Sequence, residues 1–185
     1  MTLSIAIAGA AGRMGRALTR AACADSRFHV VGGTERQGGQ FLGIDIGALA
    51  GVAPLMMNTS ETASLAAETA EVWIDFTTPA ATLDALAALE ATPVRAAIVG
   101  TTGLTPEQET QIAQHAKRIA IVRSGNFSLG VTLLAALVEQ AAEKLGPEWD
   151  VEISEAHHRR KADAPSGTAL LLGEAAARGR GEPLN

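Results

Sequence analysis

Between Glu155 and Thr168 the chain gathers two imidazoles, three fixed cations and a helix start into fourteen residues, EAHHRRKADAPSGT. Val151 to His158 alternates as a strand does, so Val151, Ile153, Glu155 and His157 share one face while His158 points to the other. The two histidines are therefore expected to have different tasks. Arg159, Arg160 and Lys161 follow in a short basic connection, and then Pro165 and Ser166. Ser166 is a good N-cap for an apolar helix beginning near Gly167. The free N–H groups and positive dipole end of such a helix let Gly167 and Thr168 hold a carboxylate or phosphate. A solvated basic turn between strand and helix is the plainer account of the same spacing.

The residues upstream supply a second chemistry. Ser4 to Ala8 is a short apolar run typical of a buried parallel strand, and it ends in Gly9-Ala10-Ala11-Gly12-Arg13-Met14-Gly15, from which an Ala- and Leu-rich helix continues to about Ala24. Strand, glycine turn and helix make a phosphate-binding unit in which the backbone approaches a pyrophosphate at the helix N-terminus. The spacing is GxxGxxG rather than GxGxxG. A strand over Phe28 to Gly33 then leads to Glu35, twenty positions beyond Gly15, where an acidic residue meets adenosine ribose hydroxyls. Arg36 next to it offers a guanidinium to a 2′-phosphate, so the pair admits either NADH or NADPH, with Arg13 as an auxiliary cation.

Further elements must place these groups. Residues 37–54 read as a loop, followed by a short strand near Leu55 to Met57 and a helix over Glu61 to Thr69. Val72 to Phe76 is a buried strand ending in Asp75-Phe76-Thr77-Thr78-Pro79, with Pro79 opening a helix to about Ala91. A strand over Arg95 to Val99 ends in Gly100-Thr101-Thr102-Gly103, and a helix follows from Pro106 to Ala116. The next strand, Ile119 to Arg123, ends in Ser124-Gly125-Asn126-Phe127. Three successive strands finishing in small, hydroxyl or amide residues are expected to line the nicotinamide side of a ligand crevice, since ligands sit at the carboxyl ends of parallel strands. Ser128 caps a helix to about Leu145 whose stripe of Val131, Leu134, Leu137, Val138, Ala141 and Leu145 is expected to be core.

The alternation predicts an α/β fold, a Rossmann-type doubly wound parallel sheet over residues 1–127, with a partial α+β substrate-binding domain over residues 128–185. A chain of 185 residues with a net charge of −5 does not present the basic field that nucleic acid requires, and its local cations suit a small anion. One cysteine, Cys23, excludes an internal disulfide framework and a cysteine-rich metal site, so no metal is expected and a reducing cytoplasm fits. The chain enters its first strand without a charged leader, and no apolar run is long enough to span a bilayer. A cytoplasmic protein without membrane contact is expected.

Taken together, GAAGRMG, Glu35-Arg36, DFTTP, GTTG, SGNFSLGV and EAHHRRKADAPSGTAL resemble the 4-hydroxy-tetrahydrodipicolinate reductases, also called dihydrodipicolinate reductases, of bacterial lysine and diaminopimelate biosynthesis. The resemblance implies hydride transfer from C4 of NADPH or NADH to an unsaturated six-membered nitrogen heterocycle bearing two carboxylates. It further implies that His157 donates or accepts a proton, that Lys161 donates one, and that His158, Gly167 and Thr168 bind substrate. Gly9, Ala10, Ala11, Gly12, Arg13, Met14, Glu35, Arg36, Gly100, Thr101, Thr102, Ser124, Gly125, Asn126 and Phe127 match the family's cofactor contacts. Members of the family are homotetramers and continue for roughly half a domain beyond this point, so a truncated chain is expected here. A nucleotide-binding module without turnover, and another Rossmann amino-acid dehydrogenase, are the competing functions; EAHHRRK and PSGTA count against the latter.

Overall fold

The computed structural model describes residues 2–157, 159 and 164–184. The chain divides into two compact units, Met1–Arg123 and Ser124–Asn185, four residues ahead of the expected boundary.

In the first unit, five parallel strands are β1 (Leu3–Ile7), β2 (Phe28–Gly33), β3 (Val72–Asp75), β4 (Ala96–Val99) and β5 (Ala120–Arg123), in the order β2-β1-β3-β4-β5. Helices α1 (Arg13–Cys23), α2 (Ile46–Ala50), α3 (Ala63–Ala66), α4 (Pro79–Leu89) and α5 (Pro106–His115) join them. Period-two alternation sends neighbouring side chains into two cores. Ile5 and Ile7 of β1 pack with Ala22 of α1, Val30 and Ile46 of α2. Ala6 and Ala8 face the other layer, with Trp73, Leu86, Leu89, Val99 and Ile112 from β3, α4, β4 and α5. Leu86 and Leu89 are fully buried, each contributing about 1.5–3 kcal/mol of hydrophobic stabilisation. Helices thus cover both faces, and the sheet is doubly wound as its apolar strands predict.

Trp73, 1% exposed, sits in register between Ala6 of β1 and Ala97 of β4. Alanines on both flanking strands make room for the indole.

Three expectations between β2 and β3 are corrected. No strand forms at Leu55 to Met57; the isolated bridges that follow pair Asn58 with Asp45 and Ser60 with Thr34. The Asp45 carboxylate accepts the N–H groups of Leu55 at 3.1 Å and Met57 at 3.2 Å, and those donors are lost to a ladder. The same side chain accepts from Ala48 N–H at 2.8 Å and so N-caps α2, a helix inside the expected loop. The helix expected over Glu61 to Thr69 is only the single turn of α3, capped by Thr62.

In the second unit, α6 (Leu129–Leu145) and α7 (Gly167–Arg180) pack together. Their caps are Ser128, accepting from Val131 N–H, and Ser166, accepting from Ala169 N–H. The helices meet through small residues: Ala135 and Ala142 are the buried residues of α6, Gly173, Ala175 and Ala176 those of α7. A Cβ at Gly179 would lie 2.2 Å from the Glu139 carbonyl oxygen, so only glycine permits that approach. Arg178 ties to Glu139 at 3.0 Å.

The expected core stripe of α6 is therefore corrected: Leu134, Leu137 and Leu145 are 46%, 53% and 51% exposed. Close backbone approach selected the alanine face instead. Residues 151–157 are exposed and belong to no strand, because no second strand of this unit lies among the described residues to pair with them. Among the described residues the partial α+β domain is a helix pair without a strand.

Candidate functional site

The carboxyl ends of β1, β2 and β3 enclose a cavity of about 520 Å³. It opens where β1 has β2 on one side and β3 on the other, the switch point at which chain connections diverge and leave a crevice.

At its floor lies the turn from β1 to α1. Gly9 adopts φ +59°, its N–H donates to Thr34 Oγ1 at 3.2 Å, and the Ala10 N–H donates to the Thr34 carbonyl at 2.8 Å. Arg16 braces the turn by donating from Nε to the Ala11 carbonyl at 2.7 Å, its guanidinium 5.1 Å from the centre of the Phe41 ring. Gly12 is the N-cap of α1 and has no side chain to cap it, which leaves first-turn N–H groups of α1 for an anion. A Cβ at Gly15 would lie 2.3 Å from the Gly9 carbonyl oxygen. Its absence lets α1 sit directly on the turn. Ala10 and Ala11 are buried, whereas Arg13 and Met14 are exposed.

Glu35 and Arg36 line the same cavity. The Glu35 N–H donates to the Ser60 carbonyl at 2.9 Å, which anchors the residue after β2, and its side chain is 13% exposed. Arg36 Nε stands 4.0 Å from Glu35 Oε1 with its side chain 85% exposed. The carboxylate is held and the guanidinium is open to a ligand.

A buried polar network, which sequence reasoning did not identify, fixes the loops after β3 and β4. Asp75, fully buried, accepts at Oδ1 from the Thr77 N–H at 2.9 Å and the Thr77 hydroxyl at 2.6 Å. Thr101 Oγ1 lies 3.3 Å from the same oxygen, and Trp73 Nε1 donates to Oδ2 at 3.4 Å. Thr101 also accepts from the Thr77 N–H at 3.2 Å and contacts Thr82 Oγ1 at 2.8 Å. The Thr101 side chain is thus turned inward, and the loop can face a ligand at this position only through its backbone. A Cβ at Gly100 would strike the Phe76 ring. The available signal was a carboxylate closing an apolar strand, VWID, with threonines two and twenty-six positions on.

The second unit carries the remaining candidates. Ser124 Oγ donates to the Asn126 carbonyl at 2.6 Å, and Asn126 Oδ1 accepts from the Ser128 N–H at 2.7 Å, folding the SGNFS junction onto the start of α6. Asn126 Nδ2 donates to Thr168 Oγ1 at 2.9 Å, joining that junction to the first turn of α7. Gly125 is exposed and Phe127 is 46% exposed. Gly167 and Thr168 are the first two residues of α7, as expected. His157 Nδ1 is 3.5 Å from Glu155 Oε2. His158 and Lys161 lie outside the described residues. Among the described residues no group of His, Cys, Asp or Glu could hold a metal ion, and no helix is long and apolar enough to cross a membrane.

Residues 3–127 match the family model for the dihydrodipicolinate reductase N-terminus, and residues 130–184 that for its C-terminus. A 4-hydroxy-tetrahydrodipicolinate reductase of Parvibaculum lavamentivorans is 50% identical over 98% of this chain and 67% of that relative's length. One from Beijerinckia indica is 50% identical over 99% of this chain and 67% of its own. The chain thus spans about two thirds of the relatives it matches. A dipicolinate-bound dihydrodipicolinate reductase from Paenisporosarcina sp. TG-14 superposes with a TM-score of 0.71 at 23% identity, covering 97% of this chain and 67% of that one, which supports the fold alone. With a Rossmann-like sheet, a glycine turn at its switch point and both halves of the family matched in tandem, the chain belongs to the dihydrodipicolinate reductase family.

Proposed function

We propose that this chain reduces 4-hydroxy-tetrahydrodipicolinate, or the dihydrodipicolinate derived from it, to tetrahydrodipicolinate with NAD(P)H, in lysine and diaminopimelate biosynthesis. The observation that carries the proposal is the tandem match to both halves of the reductase family. The groove geometry fits a dinucleotide, since Gly12 leaves the first turn of α1 uncapped and Gly15 removes the side chain that would hold α1 off the turn. Gly9, Ala10, Ala11, Gly12, Arg13 and Met14 would hold its pyrophosphate, Glu35 and Arg36 its adenosine ribose, and the backbone of Gly100, Thr101 and Thr102 with Ser124, Gly125, Asn126 and Phe127 its nicotinamide end. When bound, the nicotinamide supplies hydride.

The chain's own residues supply the rest. His157 presents Nδ1 toward Glu155, so Nε2 is the nitrogen at which it holds or releases the reaction's proton. By similarity to the family Lys161 is a proton donor, so that it supplies the one proton that accompanies hydride, directly or through His157. The N–H groups of Gly167 and Thr168 at the start of α7 take one substrate carboxylate, with His158 as a further donor. The substrate is accordingly a small heterocyclic dicarboxylate, as the dipicolinate of the Paenisporosarcina reductase suggests. A cytoplasmic setting and the family's homotetramer belong to the same proposal.

The test is NADPH consumption with freshly formed 4-hydroxy-tetrahydrodipicolinate. His157→Ala and Lys161→Ala should each lower kcat by about 10²–10⁴-fold while leaving NADPH affinity unchanged; wild-type turnover in both variants would remove the assigned roles. A nucleotide-binding module without turnover is the second account, resting on the uncapped first turn of α1 alone. Calorimetry separates the two, because that module binds NADPH but not pyridine-2,6-dicarboxylate.

A further inference from the structure

Glu155 reaches forward to the residue that starts α7. The Ser166 N–H donates to Glu155 Oε1 at 2.8 Å, and the Ser166 hydroxyl donates to Oε2 of the same carboxylate. That hydroxyl accepts in turn from the Ala169 N–H at 3.0 Å, so one buried serine, 2% exposed, links the carboxylate to the first turn of the helix. Oε2 also stands 3.5 Å from His157 Nδ1. One carboxylate therefore meets the imidazole two residues on and the helix cap eleven residues on.

Two parallel bonds to a carboxylate fix direction as well as distance. The carboxylate thus ties His157, two residues on, to the residue that caps α7. Asn126 independently holds the first turn of α7 through Thr168, so the start of that helix is anchored from a second direction.

We propose that Glu155 is a positioning residue, a clasp that holds the imidazole of His157 and the anion-binding first turn of α7 in one fixed arrangement. The clasp rests on the role proposed for His157. It acts through geometry: proton donor and carboxylate cradle must serve a single small substrate, and an error of about 1 Å in such placement costs on the order of 10²-fold in rate. Glu155 itself touches neither substrate nor cofactor in this scheme.

The test compares Glu155→Ala, Glu155→Gln, Ser166→Ala, Ser166→Thr and the Glu155→Ala/Ser166→Ala double variant in the full chain. Steady-state rates, NADPH affinity by fluorescence and the urea midpoint of unfolding are measured for each. Glu155→Ala and Ser166→Ala should each lower kcat by about 10²-fold with NADPH affinity unchanged. The double variant should be no slower than Glu155→Ala by more than about twofold, because the two residues form one device. Ser166→Thr, which keeps the hydroxyl, should recover most of the rate, with Glu155→Gln intermediate. The urea midpoint of the double variant should lie close to that of Glu155→Ala, because the same bonds are lost only once. A wild-type kcat in Glu155→Ala, independent losses that multiply in the double variant, or midpoint shifts of the single variants that simply add would each overturn the clasp. If the wild-type chain reduces no substrate, the function proposed above fails, and the midpoint shifts still decide whether Glu155 and Ser166 form one device.

Discussion

The Asp75 carboxyl takes both donors of Thr77, the N–H at 2.9 Å and the hydroxyl at 2.6 Å, on a single oxygen. Thr101 reaches that oxygen from the end of the neighbouring strand, so one buried side chain sets two loops at the mouth of the sheet. Truncation leaves several buried donors without an acceptor. Asp75→Ala should lose about 2–4 kcal/mol in urea unfolding, with Asp75→Asn between it and wild type. Because the Trp73 indole donates to the same carboxyl, its emission should shift in both variants. An unchanged midpoint and spectrum would show that the network carries no stability.

Gly15 is decided by packing. Gly15→Ala forces α1 off the glycine turn, where the new methyl would lie 2.3 Å from the Gly9 oxygen. Stability should fall by about 1–3 kcal/mol, and NADPH affinity by at least tenfold, because the first-turn N–H groups move with the helix. Calorimetric titration together with thermal unfolding measures both. Wild-type affinity in a destabilised variant would separate the turn from the cofactor.

Arg36 stands open beside a held Glu35, a geometry suited to a 2′-phosphate. Arg36→Ala should lower the ratio of NADPH to NADH affinity by about tenfold, with NADH binding nearly unchanged. Paired titrations with the two nucleotides provide the measurement, and an unaltered ratio would reassign the residue.

Acid should weaken the first unit at identifiable places. Glu90 is held below its ordinary value of 4.5 by His115 Nδ1 and then by Arg118. Glu71 is lowered by the N–H and hydroxyl of Ser4 and by Arg95. Asp25, bonded by Arg27, drops from 3.8 to about 2. A depressed carboxylate contributes stability that is present above its unfolded value and is lost as pH falls through the folded one. Unfolding midpoints should therefore decline from about pH 4.5 downward, and Glu90→Gln should flatten the upper part of that decline. A decline that begins well above pH 5 would point to other groups.

Local patterns in the sequence carried the strand, glycine turn and helix of residues 3–23 and the caps at Ser128 and Ser166, since each depends on neighbours within four positions. Features set by distant partners were not legible. Asp45 removes the donors of residues ten and twelve positions away and so abolishes an expected strand. Asp75 and Thr101 are twenty-six positions apart, and only the parallel pairing of β3 with β4 brings them together. The leucine stripe of α6 had the right period for a core, but the helix partner chose the alanine face. Glu155 was visible within the histidine stretch, yet its bond to Ser166 joins residues eleven positions apart. His158 and Lys161 lie outside the described residues.

The row formed by Ala6, Trp73 and Ala97 shares one volume across three strands. An indole there can be exchanged for a smaller side chain only if its neighbours grow in step, so single substitutions at positions 6 or 97 should be poorly tolerated while compensated pairs survive. Because the indole also bonds the carboxyl that steers two loops, drift in these three hydrophobic positions would be felt first as a misplaced nucleotide pocket.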